Sequence, residues 1–480
     1  MVRDRRPASP GRVASVVGLF VFGLIGGQVR AGIHAGAAEA EITPPVGLEI
    51  QHFFRQSEGV HDPLFARCVV LQDDAGGCVA IVCLDLILGS FEACDALREE
   101  IRQRTGIDNT LINFSHSHSS AALGPRGQSA VSNDYGSRWN DGTLDAIIGI
   151  VAAARSRLEP VTLSVGRATV EVGFNRRKWD PAREKVVMQV NREGPSVPWV
   201  NVLVAKPTGR DEISTVLFET AAHPVVIPHT TNRISADFPG AAVALVKEEL
   251  GPEVIAMFGQ GCGGNVNAYP LRSSYERALH IGRQLGRGVV EAVRNSVTIE
   301  ADALDVRQQR TALPSHPLPT SDEVDRWMAQ EADHPDRIAQ LERIDRLLRR
   351  GGSPPPRRLD VSMLSLGQQW CLVALPHEMF CEYELWINQH APFDHTMTFA
   401  YTNGYEGYIA VDEALRLGPA GGYEAASLPN WGGQVKTRHF GPPAVGCERI
   451  IKKTISSLWH DAPETPSPAG GAASEGDGTR

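Results

Sequence analysis

Seven short apolar runs constrain this chain more than any other feature: Cys68–Leu71, Val79–Leu84, Thr110–Phe114, Val200–Val204, Val216–Phe218, Val254–Phe258 and Trp370–Leu375. Each is too short for a helix with one apolar stripe, and each gives way to polar or Gly-rich residues, so each predicts a buried strand. Between them, Ala93–Arg104, Leu144–Arg157, Gly240–Glu249, Tyr275–Asn295 and Gly446–Leu458 carry apolar residues at three- and four-residue spacing, the pattern of helices with one buried face. The mixture predicts an α/β fold, mixed β-sheets flanked by helices, and its alternation is too irregular for a simple barrel.

Length alone allows one large domain or two to three ordinary ones, and the chain of 480 residues reads as a single large domain over 32–460 with additions at both ends and one insertion. Arg3, Arg5, Arg6 and Arg12 precede an apolar run from Val13 to Val29 that closes in Val29-Arg30-Ala31, the pattern of a cleaved signal peptide over residues 1–31. The expectation is export to a periplasmic or secreted location. Within the domain, residues 313–358 are bracketed by Pro314, Pro317 and Pro319 and by Pro354, Pro355 and Pro356, and read as a helical insertion. Thr320 and Glu323 have the spacing of its capping box, and Ile338, Leu341, Ile344, Leu347 and Leu348 form its apolar stripe. Residues 461–480 are Pro-, Ser- and Gly-rich and read as a disordered tail.

Charge removes one class of partner. With 47 Lys and Arg against 56 Asp and Glu, the net charge of −9 offers no basic field for a polyphosphate, so no nucleic-acid partner is expected. The eight cysteines contain no Cys-x-x-Cys pair, which argues against a thiolate zinc site and a thioredoxin-type motif.

Three segments carry the chemistry. The strand Thr110–Phe114 runs into Ser115-His116-Ser117-His118, and His-x-His on an extended backbone points both imidazoles to one side, which suits a metal ligand beside a second ligand or a proton-transfer group. Two hydrogen-bonded loop histidines would give the same pattern. The second segment brings apolar strand residues to His223-Pro224, followed by Ser235-Ala236-Asp237. In the third, Leu372–Leu375 leads through Pro376 and His377 to Glu378, and zinc sites commonly combine imidazoles with one carboxylate.

The order of these blocks resembles that of the neutral/alkaline, non-lysosomal ceramidases over most of Gly36 to Leu458. The opening Ala35–Pro45 and the block Gly59-Val60-His61-Asp62-Pro63-Leu64-Phe65-Ala66-Arg67 are similar to that family's first blocks. His116 and His118 fall on its His-Thr-His-Ser-Gly block, Arg176 on its Asn-Arg pair, His223 on its second metal histidine and Glu378 on its Pro-Gly-Glu block. Thr402-Asn403-Gly404-Tyr405-Glu406-Gly407-Tyr408, with Gly421-Gly422-Tyr423-Glu424, resembles the segment that supplies a tyrosine ligand and a second site tyrosine.

The resemblance implies a Zn2+ ion held by His116, His223, Glu378 and Tyr408, with an open position for water. It implies that Tyr423 and Arg176 stabilise an oxyanion and that His118 moves a proton to the leaving group. Asp85 and Asp237 are expected either as carboxylates that orient ligand imidazoles or as turn residues. The implied activity is hydrolysis of an N-acyl amide, in a sphingolipid or another small-molecule or lipid substrate. A transient membrane-surface contact is expected, and no obligate protein partner.

Two departures bear on that reading. The family's Gly-Asp-x-Ser-Pro block corresponds to Gly264-Asn265-Val266-Asn267-Ala268, so Asn267 stands where the family has a serine. A carboxamide is no acyl-accepting nucleophile, although it donates hydrogen bonds to an oxyanion. The chain also stops near the end of the catalytic domain, without the family's C-terminal sandwich domain. Alternatives are therefore a zinc hydrolase of the same fold acting on another amide or ester, and a non-catalytic metal-binding homologue.

The block around Cys262 admits two further readings. Gly259, Gly261 and Gly264 satisfy a dinucleotide-binding spacing, but Pro270 would break the helix that must follow. Gln260-Gly261-Cys262-Gly263-Gly264 resembles a cysteine-protease block, with His223 lying 39 residues upstream, and gives the remote alternative of a cysteine hydrolase using Cys262.

Overall fold

All seven apolar runs lie in or overlap strands, and their continuity has a simple cause: each strand is buried on both faces. The structure is a computed structural model that describes residues 32–50, 55–127, 134–228, 230–431, 433–435 and 437–459. The signal-peptide segment 1–31 and the tail 461–480 lie outside the described residues.

The larger sheet has nine strands, in the order Ile255–Gln260, Thr215–Thr220, Trp199–Pro207, Glu159–Thr169, Ile33–Glu41, Phe65–Asp73, Cys78–Leu84 and Asn109–Phe114, with Val297–Ile299 paired beside Glu159–Thr169. A second sheet of four strands runs Leu304–Leu313, Arg357–Leu366, Trp370–Ala374 and His395–Phe399. The two sheets pack face to face. Successive side chains on a strand point to opposite faces, so Val79, Ile81 and Cys83 enter the core between the sheets with Leu372, Met397 and Phe399. Their neighbours Ala80, Val82 and Leu84 face outward, against the helices Phe91–Thr105 and Asp134–Ser156.

The second sheet obeys the same rule. Trp370 and Leu372 point inward, while Cys371 and Val373 pack with Tyr383 and Ile387 of the helix Cys381–His390 and Ile451 and Ile455 of the helix Cys447–Ser457. A third cluster joins Val202, Val216 and Phe218 to the helices Asp237–Leu250 and Tyr275–Arg294. The result is four layers, helices, sheet, sheet and helices, which is the expected α/β class with mixed sheets. Each fully buried Leu, Ile or Val contributes about 1.5–3 kcal/mol.

Residues 313–358 contain two helices, Ser321–Gln330 and Pro335–Arg349. Thr320 caps the first through a reciprocal capping box with Glu323, and Leu341 and Ile344 of the second are buried beside Val324.

Three parallel strand pairs position the site: Cys78–Leu84 with Asn109–Phe114, Thr215–Thr220 with Ile255–Gln260, and Trp370–Ala374 with His395–Phe399. Ligand sites of open α/β sheets lie beyond the carboxyl ends of their strands. Asn113 joins all three pairs. Its Nδ2 donates to the carbonyl oxygens of Ala400 (2.7 Å) and Gln260 (3.3 Å), and its Oδ1 accepts from the Gln260 N–H at 2.8 Å.

Candidate metal centre

His116 follows the strand Asn109–Phe114, and His223 follows Thr215–Thr220. In both residues a backbone carbonyl takes one ring nitrogen. His116 Nδ1 lies 2.7 Å from the Ile87 oxygen and His223 Nδ1 lies 2.6 Å from the Gly263 oxygen. This contact sets Nδ1–H and turns Nε2 inward, the arrangement that orients ligand imidazoles. Glu378 Oε2 stands 2.7 Å from His223 Nε2 and 3.5 Å from His116 Nε2. One ring nitrogen each from His116, His118 and His223 lies within 4.8 Å of the other two. Three imidazoles thus lie close together and Glu378 stands beside two of them, a donor set that fits zinc.

His118, expected as a proton carrier, belongs to this compact imidazole group and is less buried than His116 and His223. Burial alone would raise the Glu378 pKa, but His116, the hydrogen bond from His223, and Arg176 outweigh it and hold the carboxylate well below its usual range. Its second oxygen, Oε1, accepts from the Tyr405 hydroxyl at 2.8 Å. Tyr408 reaches the site through the strand pair in which it is the direct partner of Glu378. Its ring lies beside the Arg176 guanidinium, 5.4 Å from ring centroid to Cζ, and meets the Tyr423 ring edge-on at 5.7 Å. Tyr423 is 43% exposed and stands at the outer margin.

Arg176 is anchored twice. Nε donates to Glu424 Oε1 at 2.7 Å, and Nη1 donates to Asn267 Oδ1 at 2.8 Å. Arg177 Nη1 donates to the other Glu424 oxygen at 2.7 Å. Burial disfavours the Arg176 charge, yet Tyr408, Glu424 and Glu378 hold it protonated. Nη2 is buried without a partner of hydrogen-bond geometry among the described residues, with Tyr408 the neighbouring acceptor that helps keep the guanidinium charged. Asn267 lies beside His223 in a backbone bridge. Because arginine only donates, Oδ1 is the atom that meets Arg176, and Nδ2 is the donor end of the carboxamide.

The backbone is strained where these residues meet: His116, His377, Tyr401 and Asn403 have φ values of 63°, 68°, 49° and 59°. Non-glycine residues in this region cost about 1–3 kcal/mol each and cluster at functional sites. His377 is no ligand despite its place beside Glu378. Its Nε2 contacts the Arg358 carbonyl and its Nδ1 accepts from the Glu406 N–H, and burial lowers its pKa to about 4, so it is neutral.

Several expectations are corrected. Asp85 does not orient an imidazole, since its Oδ2 accepts from the Phe65 N–H and from Arg67 Nη1. Asp237 is likewise spent on the backbone N–H groups of Ile227 and Phe238. Carbonyl oxygens do the orienting instead. Cys262 is fully buried, and desolvation, reinforced by Glu384 and Glu219, raises its thiol pKa well above the usual value, opposite to what a thiolate nucleophile needs. The glycines around it answer to packing. A Cβ on Gly261 would collide with the Glu219 and Glu384 carboxylates, and one on Gly264 with the Glu378 carbonyl oxygen.

No protein-family model and no curated protein matches the chain. Among solved structures it is similar to the neutral ceramidase from Pseudomonas aeruginosa, with a TM-score of 0.64 and 16% identity over 91% of this chain and 76% of that one. It is equally similar to a structure described as ceramidase complexed with C2, with a TM-score of 0.64 and 16% identity over 92% of this chain and 77% of that one. The chain has the neutral ceramidase fold.

Proposed function

We propose that this protein is an exported, zinc-dependent, ceramidase-like amidohydrolase that cleaves an N-acyl amide, with a sphingolipid among its candidate substrates. The observation that carries the reading is the position of Glu378 Oε2, 2.7 Å from His223 Nε2 and 3.5 Å from His116 Nε2, in a cluster that includes His118. Likeness in fold to neutral ceramidases supports it. Export is supported by the arginine-rich start and the apolar run that follows it.

His116, His223 and Glu378 would hold the zinc, with Tyr408 as fourth ligand. When bound, the ion supplies a Lewis acid and lowers the pKa of a water at an open position. The protein's own part is orientation and charge. Arg176 Nη2 and Asn267 Nδ2 donate to the oxygen of the scissile carbonyl as it gains negative charge, joined by Tyr423 at the margin. Glu424 keeps Arg176 charged and aimed. His118 carries the proton to the departing amine.

The test is fatty-acid release from a panel of N-acyl amides and matched esters, by protein with its zinc, after chelation and after thiol alkylation. The reading expects amide hydrolysis that chelation abolishes and alkylation spares. Loss of activity on alkylation with zinc retained would favour Cys262, and inactivity on every substrate would leave a metal-binding protein.

A further inference from the structure

The three-stranded sheet Lys185–Asn191, Gly173–Asp180 and Val266–Ala268 carries Arg176 and Asn267 to the metal centre and leaves a cleft beside them. Phe174 is the direct strand partner of Asn267, and Arg176, two residues on from Phe174, shares its face. Phe174, Arg176, Val190, Asn267, Tyr269 and Leu271 form much of the wall, and no acidic residue lines the cleft. At 40 Å³ it is far below the ~300–1,000 Å³ that enclose a whole small molecule, so it suits one substituent of a ligand whose remainder lies outside.

The rim is basic. Arg192 lies over the Phe174 ring, with Cζ 4.4 Å from the centroid, while Tyr269 meets the same ring edge-on at 5.6 Å. Arg272 follows the wall residue Leu271, and its backbone N–H donates to the Val225 oxygen at 2.9 Å, two residues beyond His223. Arg272 has a φ of 50°, a backbone region that is costly for residues other than glycine and that clusters at functional sites. After burial, Tyr423 and Arg176 act most on its charge, which puts its guanidinium on the side of the metal centre, and Arg55 acts on it as a second like charge. Among the described residues neither Arg192 nor Arg272 has a carboxylate partner, and Arg55 Nη2 is covered without a hydrogen-bond partner. Glu424, the nearest carboxylate to Arg176, is already bonded to Arg176 and Arg177. On a chain with a net charge of −9, guanidiniums gathered at one cleft without carboxylates leave a local positive field for an anion from outside.

We infer that this cleft binds the carboxylate of an N-acyl amide, borne on the acyl or the amine half close to the scissile bond. A carboxylate accepts from a guanidinium fork through two oxygens at once and is small enough for the cleft. A neutral substituent would leave the arginines unanswered, and an ammonium would be repelled. The inference rests on the hydrolytic reading and narrows its substrate class to anionic amides.

Calorimetric titration of the full chain, zinc-loaded and again after chelation, with N-octanoylglycine, N-octylsuccinamate and the neutral N-octanoylethanolamine tests it. At least one of the two anionic amides should bind about tenfold or more tighter than the neutral one in both forms, the scale of a charge-assisted hydrogen bond. Which of the two is preferred tells the half that carries the charge. Arg272→Gln and Arg192→Gln, both at exposed positions and checked for melting temperature, should each cut that affinity about tenfold. Arg183→Gln, at the far turn of the hairpin where Arg183 pairs with Asp180, should keep the preference. Equal affinity for charged and neutral amides, a preference that vanishes on chelation, a preference kept when Arg192 and Arg272 are both replaced or lost in Arg183→Gln, or no binding at all would each overturn the inference. Preferential binding of an anionic amide without hydrolysis of any would instead end the hydrolytic reading and leave the anion cleft standing.

Discussion

Asn267 gives its carboxamide oxygen to Arg176, whose Nη1 donates to Oδ1 at 2.8 Å. Asn267, which stands where the ceramidases resembled in sequence have a serine, is therefore held in one orientation by Arg176, and a carboxamide is no acyl-accepting nucleophile. Asn267→Ala should lower turnover by ~10²–10³, the effect of losing one oxyanion donor, with zinc content unchanged. No acyl adduct should form on the wild-type chain during turnover, which intact-mass measurement checks. An adduct would show that the chain supplies a nucleophile.

The three imidazoles should separate by role. His116→Ala and His223→Ala should each leave far less than one zinc per chain by elemental analysis, because a site missing one imidazole binds metal much more weakly. His118→Ala should keep its zinc and lose turnover if it carries a proton. Metal loss in His118→Ala equal to that in the other two would instead make it a ligand.

Glu424 is buried between Arg176 and Arg177, with one oxygen 2.7 Å from each guanidinium. Glu424→Ala strands two buried cations and should cost about 3–5 kcal/mol in denaturant unfolding. Burial would raise the carboxyl's pKa, but the two arginines hold it below its usual 4.5. A depressed folded pKa gives stability that is complete above about pH 4.5 and is lost as pH falls through the folded value. The advantage of wild type over Glu424→Gln should therefore shrink on acidification below about pH 4.5.

Glu219 and Glu384 produce the opposite dependence. They face each other beneath Gly261, and burial raises Glu219 to about 7 and Glu384 well above the usual range, so the pair retains a proton. Between pH ~4.5 and ~7 the folded state binds a proton that the unfolded state has released, and stability falls as pH rises. Glu384→Gln keeps an acceptor for the Cys262 N–H and adds a donor for Glu219. Its stability should be flatter across that window and exceed wild type near pH 8 in urea unfolding. A slope equal to wild type would refute the shared proton.

The parts of the fold legible in the sequence were those buried on both faces, where strands such as Val79–Leu84 read as unbroken apolar runs. Ile33–Glu41 was not legible, because its alanines and glutamates favour helix locally. It is a strand because its whole length pairs with Phe65–Asp73, and tertiary pairing overrides propensity. Leu304–Leu313 was hidden by its exposed polar residues. At the site, His116, His223 and Glu378 were legible because each follows an apolar strand. Glu424 and Tyr405 carry no such signal, since neither adjoins its partner in sequence. The carbonyls of Ile87 and Gly263 leave no side-chain signal at all, so the sequence offers only carboxylates such as Asp85 and Asp237, which read equally as imidazole partners or as turn residues.

Zinc titration of the chelated protein, followed by fatty-acid release from a ceramide and from a shorter N-acyl amide, tests the central claim most directly. Hydrolysis of at least one amide should be absent from the metal-free protein, rise with added zinc and reach its plateau at about one zinc per chain. Release that is undiminished without zinc, or no release from any N-acyl amide at full zinc occupancy, would contradict the account.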